Sequence, residues 1–438
     1  MRLSHTGPRA VSSVAAVLAA ASWALWLISW RAQPAKYEFV DPIMCGACHQ
    51  KQYSEWEHSL HALAHSEAIY DQYFIKASRD TDGAIQEFCA RCHTPLGVLD
   101  GHIPFPKPVE KRGDTGVSQT EATGVTCDLC HTVDGYTELR NAQFTVDRSE
   151  VKRGPYADSN SAFHQTALSD LITKPEFCGI CPTVDHPANG IHLEMTYEEW
   201  KNGPYAAEGT RCQDCHMSKT LGEEPHRRPG KATVGGPDRD HVSDHLFVGP
   251  NLCFSNVEGA EEQHGLSEQL LRKAAKVEVG EVSVADGQLS VQVNVTNVGA
   301  GHCIPTGVTE LRQVWLDVVV TDADGKELLH SGMLDDAGEI TAGSVIYTTV
   351  VHDADGKATT RFWNTVEKAS DHRIPPRQTV SETISGPVGD AVNGPLKVSV
   401  KLNYRSVSPF GLAEVEMPDG SVTVPVFTMA TAEATAQA

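Results

Sequence analysis

At 438 residues, with 40% hydrophobic and only 7% aromatic residues, the chain is too long for one small domain and lean in apolar side chains for two. A formal net charge of −21 disfavours nucleic acid and anionic lipid surfaces and favours basic or neutral protein partners. A Ser-His-Asp hydrolase elbow and a phosphate-cradling glycine loop are both absent from the sequence, which removes those enzyme classes.

The chain opens with Arg2 and Arg9, then an uncharged apolar run over residues 10–30 closed by Arg31. A positive start before an apolar run is an export signal, and its length is also close to a membrane span. Residues 1–36 therefore read either as a cleaved signal peptide or as an N-terminal membrane anchor with its linker. Both place the remainder outside the cytoplasm, in the periplasm or on an extracellular face. Residues 37–272 are rich in His, Cys, Gly and Pro and show little long periodicity. The clearest helical pattern covers residues 50–68, where Trp56, Leu60 and Leu63 alternate with polar residues and His58, His61 and His65 fall on one face.

From residue 273 the texture changes. Segments 277–284, 289–296, 314–321, 345–351, 379–384 and 396–402 are short and rich in Val, Ile and Thr, with Asp286-Gly287, Asp324-Gly325 and Asp355-Gly356 at turn positions. This pattern predicts an antiparallel β-sandwich over residues 273–428. The small, polar residues 429–438 read as a disordered tail.

Ten of the twelve cysteines sit in five C-x-x-C pairs, and four pairs are followed by histidine: Cys45/Cys48/His49, Cys89/Cys92/His93, Cys127/Cys130/His131 and Cys212/Cys215/His216. Histidine fills only 20 of 438 positions, so four such successions are not an accident of composition. Two thiols three residues apart reach the two vinyl groups of one haem as thioethers, and the next imidazole lies under the iron. A zinc ribbon has no use for a His after each pair, and a redox dithiol needs a βαβ context that is missing. Four haems c are thus expected. The fifth pair, Cys178/Cys181, is followed by Pro182, whose ring nitrogen is locked in an amide. It has lost its haem, or carries one ligated from elsewhere (His186 is near in sequence), or carries one with an open axial face.

The fifth pair has internal echoes. Residues 87–93 (EFCARCH) match 176–182 (EFCGICP), and Cys-Gly-x-Cys is followed by Tyr53-Ser54-Glu55-Trp56 in one case and Tyr197-Glu198-Glu199-Trp200 in the other. Cys253 and Cys303 stand alone as candidates for a disulfide. The fold class expected is α+β and multidomain: a mostly helix-and-loop multihaem cytochrome domain packed on its haems, followed by the β-sandwich.

The stretches CGACHQKQYSEWEHSLHALA (45–64), GVTCDLCH (124–131), TYEEWKNGPYAAEGTRCQDCHM (196–217) and HLFVGPN (245–251) resemble the multihaem cytochromes of the cytochrome c-554 and hydroxylamine-oxidoreductase-like group, as does the junction NVGAGHCIPTGVTELRQVWLDV (297–318). That resemblance spans roughly residues 41–410 and implies distal iron ligands at His61, His164, His245 and His302, the last reaching in from the β region. Pro182 departs from the histidine the resemblance implies there. Three functions fit: an electron carrier between redox partner proteins; an oxidoreductase for a small nitrogen or sulfur compound at the Cys178/Cys181 haem, with His186, His192 or Tyr197 as proton donors; and an assembly component of an extracellular electron conduit.

Overall fold

A computed structural model describes residues 37–437 except 112, 114–115, 223–227, 252–256 and 390–391. The expected signal or anchor and Cys253, the proposed disulfide partner of Cys303, lie outside the described residues. Among the described residues no helix is long and apolar enough to cross a membrane.

The first half is built from short helices because Gly and Pro interrupt it every few residues. They are α1 (Pro42–Gly46), α2 (Gln50–Trp56), α3 (Ala68–Asp80), α4 (Gln86–His93), α5 (Pro95–Leu99), α6 (Cys127–Thr132), α7 (Pro175–Gly179), α8 (Thr196–Lys201), α9 (Pro204–Ala207) and α10 (Cys212–His216). Between them lie four two-stranded ribbons: β1 (Val133–Tyr136) with β2 (Phe144–Val146), β3 (Val151–Gly154) with β4 (Gln165–Leu168), β5 (Thr183–Asp185) with β6 (His192–Met195), and β7 (Gly230–Lys231) with β8 (Asp238–Arg239). Side chains supply the caps: Asp41 accepts from Ile43 N at 3.0 Å, and the Glu67 carboxylate accepts from Ile69 N and Tyr70 N at 2.7 Å each.

The helix expected over residues 50–68 is broken, which is a correction. α2 stops at Trp56, and residues 57–66 run as turns. The Trp56 indole donates to Val125 O at 2.9 Å, and the His61 carbonyl accepts from Val125 N at 2.8 Å instead of from its own helix. Thus His58, His61 and His65 do not share a helix face. His58 bonds Ser54 O, His65 Nδ1 shares a hydrogen bond with the Thr94 hydroxyl, and only His61 of the three lines the cavity described below.

α11 (Glu261–Ala274) leads directly into β9 (Ala275–Ala285). β10 (Gln288–Asn297) returns through Asp286 and Gly287, both with positive φ (51° and 70°), as a two-residue hairpin of this hand requires. Next come β11 (Gln313–Thr321), β12 (Glu327–Ser331), β13 (Ile346–Tyr347), β14 (Thr349–His352), β15 (Ala358–Thr359), β16 (Glu367–Asp371), β17 (Thr379–Pro387), β18 (Leu396–Arg405), α12 (Pro409–Glu414) and β19 (Phe427–Ala436). One sheet has the order β17-β10-β9, and a second runs β12-β11-β18-β19 with β13 beside β11. All of these pairings are antiparallel. Leu289, Val291, Val293 and Val295 of β10 share one core with Val314, Leu316, Val318 and Val320 of β11 and Leu396, Val398, Val400 and Leu402 of β18. Each such fully buried side chain contributes about 1.5–3 kcal/mol.

Two expectations change here. Segment 345–351 is divided into β13 and β14, because the Thr348 hydroxyl donates to Thr309 O and Arg312 O at 2.9 Å each. The tail expected to be disordered instead forms β19, paired along β18 from Leu396↔Ala436 to Tyr404↔Phe427. Its inward residues after Met429 are Ala430, Ala432 and Ala434, which pack on the core without giving a strong hydrophobic alternation.

A second core joins α3 to the later part of the chain. Ile69, Tyr73, Phe74 and Ala77 pack with Leu311, Trp363, Val407 and Val415, and Tyr73 Oη donates to Gly411 O at 3.0 Å. Residues 39–147 and 151–437 form one compact unit, while residues 37–38 and 148–150 are irregular.

Candidate haem cavity

One cavity of about 2210 Å³ is lined by both cysteines of all five C-x-x-C pairs and by His49, His61, His93, His131, His164, His216, His245 and His302. Interiors are otherwise close-packed, and pockets for one small ligand measure roughly 300–1,000 Å³. This space fits several large apolar groups. Cys89, Cys92 and His93 lie within α4, Cys127, Cys130 and His131 within α6, and Cys212, Cys215 and His216 within α10, so each pair presents both thiols from one helical turn.

The four motif imidazoles share an orientation. In each, Nδ1 pairs with a backbone carbonyl: His49 with Ala232 O (2.7 Å), His93 with Ala64 O (2.9 Å), His131 with Arg153 O (2.5 Å) and His216 with Val248 O (2.5 Å). A donated Nδ1–H fixes the tautomer and leaves Nε2 as the ligating atom. Burial also disfavours the charged form of several of the cavity histidines. It lowers His93 and His61 to about 4 and His245 to about 3, and it lowers His131 and His216 as well.

Two further histidines lie opposite motif rings with their planes nearly parallel. His131 and His245 have centroids 6.5 Å apart and planes 19° apart; His216 and His302 are 6.4 Å and 18° apart. Two metal–nitrogen bonds of about 2 Å, with each ring centre about 1 Å further on, require roughly 6 Å between centroids. His245 is set by its own N–H donating to Glu55 Oε2 at 2.8 Å. Its neighbour Asp244 pairs with Lys51 at 2.7 Å and with Arg228. His302 sits on a turn after β10, where Asn297 donates to His302 O at 2.8 Å and accepts from Ala300 N at 3.0 Å.

His61 and His164 line the cavity without such a partner among the described ring pairs. His61 meets Phe247 edge-on at 4.4 Å, and His164 donates from Nδ1 to Gln165 O at 3.0 Å. Tyr70 stacks on His93 at 3.8 Å, a contact that sequence spacing did not reveal.

The Cys178/Cys181 pair repeats the packing of the first motif. A Cβ at Gly46 would lie 2.7 Å from the Tyr53 ring, and one at Gly179 2.5 Å from the Tyr197 ring. The following tryptophans match too. Trp56 donates to Val125 O at 2.9 Å and Trp200 to Thr210 O at 2.8 Å, each carbonyl two residues before the cysteine of another motif. The fifth pair also lies amid the others, since Cys178 and Cys181 line the same cavity as Cys92, Cys130 and Cys212.

His186 does not replace the missing histidine. Its Nδ1 accepts from Ala188 N and Asn189 N at 3.1 and 3.3 Å, and its Nε2 donates to Trp363 O at 3.2 Å, so no ring nitrogen is free. The other expected proton donors are also occupied. His192 is exposed and pairs with Asp185 at 2.6 Å, and Tyr197 Oη donates to Glu176 at 3.2 Å. Among the described residues no group of three or more His, Cys, Asp or Glu side chains is spaced to hold a bare metal ion. Donors arriving singly or in facing pairs suit an iron already held in a porphyrin, which needs only axial ligands.

Residues 44–132 match the family model described as cytochrome c554 and c-prime. No curated protein matches the chain. A β-glucosidase from Kluyveromyces marxianus aligns over 38% of this chain and 15% of its own at 14% identity, with a TM-score of 0.16 that carries no argument. A penta-haem cytochrome c552 from Thermochromatium tepidum superposes with a TM-score of 0.62 at 16% identity, over 90% of this chain and 98% of that one. The chain thus has a cytochrome-like domain at its N-terminal end and shares its overall fold with that cytochrome.

Proposed function

We propose that the protein is an exported electron-transfer cytochrome whose cavity holds five haems c, one at each C-x-x-C pair. The observation that carries this reading is the convergence of all five pairs and four carbonyl-oriented imidazoles on one cavity, with two imidazole pairs spaced for an iron between them. Bound haem supplies reversible one-electron chemistry whose potential follows axial ligation, burial and hydrogen bonding. The chain's residues hold and tune it: cysteines tether, His49, His93, His131 and His216 ligate from one side, and His245 and His302 close two of the irons. His61 and His164 are the remaining distal candidates.

The repeated Gly–Tyr–Trp packing around Cys178/Cys181 supports retention of the fifth haem. The formal net charge of −21 suits basic or neutral redox partners, and the N-terminal apolar run suits tethering to a membrane. Electron paramagnetic resonance of the oxidised holoprotein tests the reading: low-spin bis-imidazole signals are expected, and an entirely high-spin spectrum refutes it.

A second reading has one observation in its favour. Pro182 brings no imidazole to the fifth pair and both nitrogens of His186 are engaged, so an iron there has an open face for a small nitrogen or sulfur compound. Binding of cyanide or carbon monoxide to one haem in five supports it; no binding refutes it.

A further inference from the structure

Two glutamates on the cavity wall have no place in ligation. Glu194 lies on β6 and Glu310 in the segment before β11, and both line the cavity. Glu310 is 8% exposed, and its Oε1 is buried with no hydrogen-bond partner. Among the described residues no cation lies within ion-pair distance of either carboxylate. Arg312 is the shared positive neighbour, but its Nη1 donates to Ser406 O at 2.5 Å. Arg373 is engaged by Glu199 at 2.5 Å and Asp371 at 2.7 Å.

The charged and titratable groups facing the pair can be named element by element. Glu194 faces Glu310, Arg312 and Glu199 of α8; Glu310 faces Lys368 of β16, Arg312 and Arg373. Tyr73 of α3 feels Glu310, and Cys92 of α4 feels Glu194. Glu67 also faces Arg312, with its carboxylate bound to two backbone amides. Glu194 is partly buried and Glu310 buried, and a charge on Glu310 with no cation paired to it is costly, which favours retention of a proton there. Burial pushes each up to about 7, and the neighbouring Glu310 raises Glu194 further. Both glutamates also border the redox groups, since they line the same cavity as Cys92 and Cys181.

We propose that Glu194 and Glu310 form a proton-binding pair that takes up one proton from solvent when a haem tethered at Cys92 or Cys181 gains one electron, and releases it on oxidation. Charge balances, because the added electron is matched by the added proton and the low-dielectric cavity keeps its net charge. The inference rests on the haem reading above. It makes the protein a carrier whose potential in one haem follows pH, matched to partners that exchange protons with electrons.

Spectroelectrochemical titration of the holoprotein between about pH 5 and 9 tests it, with haem count measured on every sample. In the native chain one midpoint potential falls as pH rises through about 7, by no more than about 59 mV per pH unit, the one-electron equivalent of a tenfold change. In the Glu194→Gln/Glu310→Gln double variant that slope disappears while the haem count holds. A flat native titration, or a slope that survives in the double variant, overturns the inference alone. A haem count below four overturns the electron-transfer reading and the inference together. Should the variant fail to fold, redox-difference infrared spectroscopy on the native chain with isotope-labelled glutamate decides: a labelled protonated-carboxyl band grows on reduction, and its absence refutes the proposal.

Discussion

The His302 imidazole, on the turn that follows β10, stands 6.4 Å from the His216 imidazole and within 18° of parallel to it. A residue of the β-rich half thus stands opposite a histidine whose motif belongs to the helical half. The β region is therefore part of the cavity wall as well as a separate core.

His302→Ala is expected to convert one haem, that of Cys212/Cys215, from low-spin to high-spin and make it bind carbon monoxide. The other haems keep their spectra, because the turn is held by Asn297 and not by the imidazole. Electron paramagnetic resonance reads the outcome; an unchanged spectrum contradicts the assignment.

Pro182→His installs an imidazole where the internal echo of residues 87–93 has His93. Gly179 and Tyr197 reproduce the Gly46–Tyr53 contact, so the local frame suits a motif of the usual kind. The variant is expected to gain a ligand at the fifth haem and lose any cyanide or carbon monoxide binding there, at unchanged haem count. Binding titrations on native and variant protein check it.

Asp244 is almost fully buried and is paired with Lys51 and Arg228. Asp244→Ala leaves Arg228 without its carboxylate, while the half-exposed Lys51 keeps Glu55 at 3.7 Å, and it is expected to cost about 1–3 kcal/mol in denaturant unfolding. It also loosens the adjoining His245, so weakened low-spin character at the His131 haem accompanies the loss.

Glu310 stays protonated up to about 7, whereas an unfolded glutamate ionises near 4.3. The folded chain binds more protons between those values, so this residue's contribution to stability falls as pH rises from about 4 to 7 and stays low above that. Glu310→Gln is expected to match the native chain at about pH 4 and exceed it by about 2–4 kcal/mol at pH 8. Unfolding curves at the two pH values measure this difference.

What the sequence showed depended on how local the cause was. The tethering motifs were readable because both thiols and the imidazole are contiguous in sequence, and the hairpin at Asp286-Gly287 because positive φ demands such residues. The strand Phe427–Ala436 was missed because its inward positions are mainly alanines, whose burial comes from β18 and not from their own hydrophobicity. The break after Trp56 was hidden because Val125, distant in sequence, takes the His61 carbonyl. Glu194 and Glu310 were invisible for the same reason: two ordinary glutamates come to line one cavity only when β6 and the segment before β11 both reach it.

The most direct test of the whole account is the haem count of the mature protein, by intact mass with a pyridine haemochrome assay, on the native chain and on Cys178→Ala/Cys181→Ala. Five haems in the native chain and four in the variant are expected. Four in both would contradict the fifth site, and fewer than four in the native chain would contradict the cytochrome reading itself.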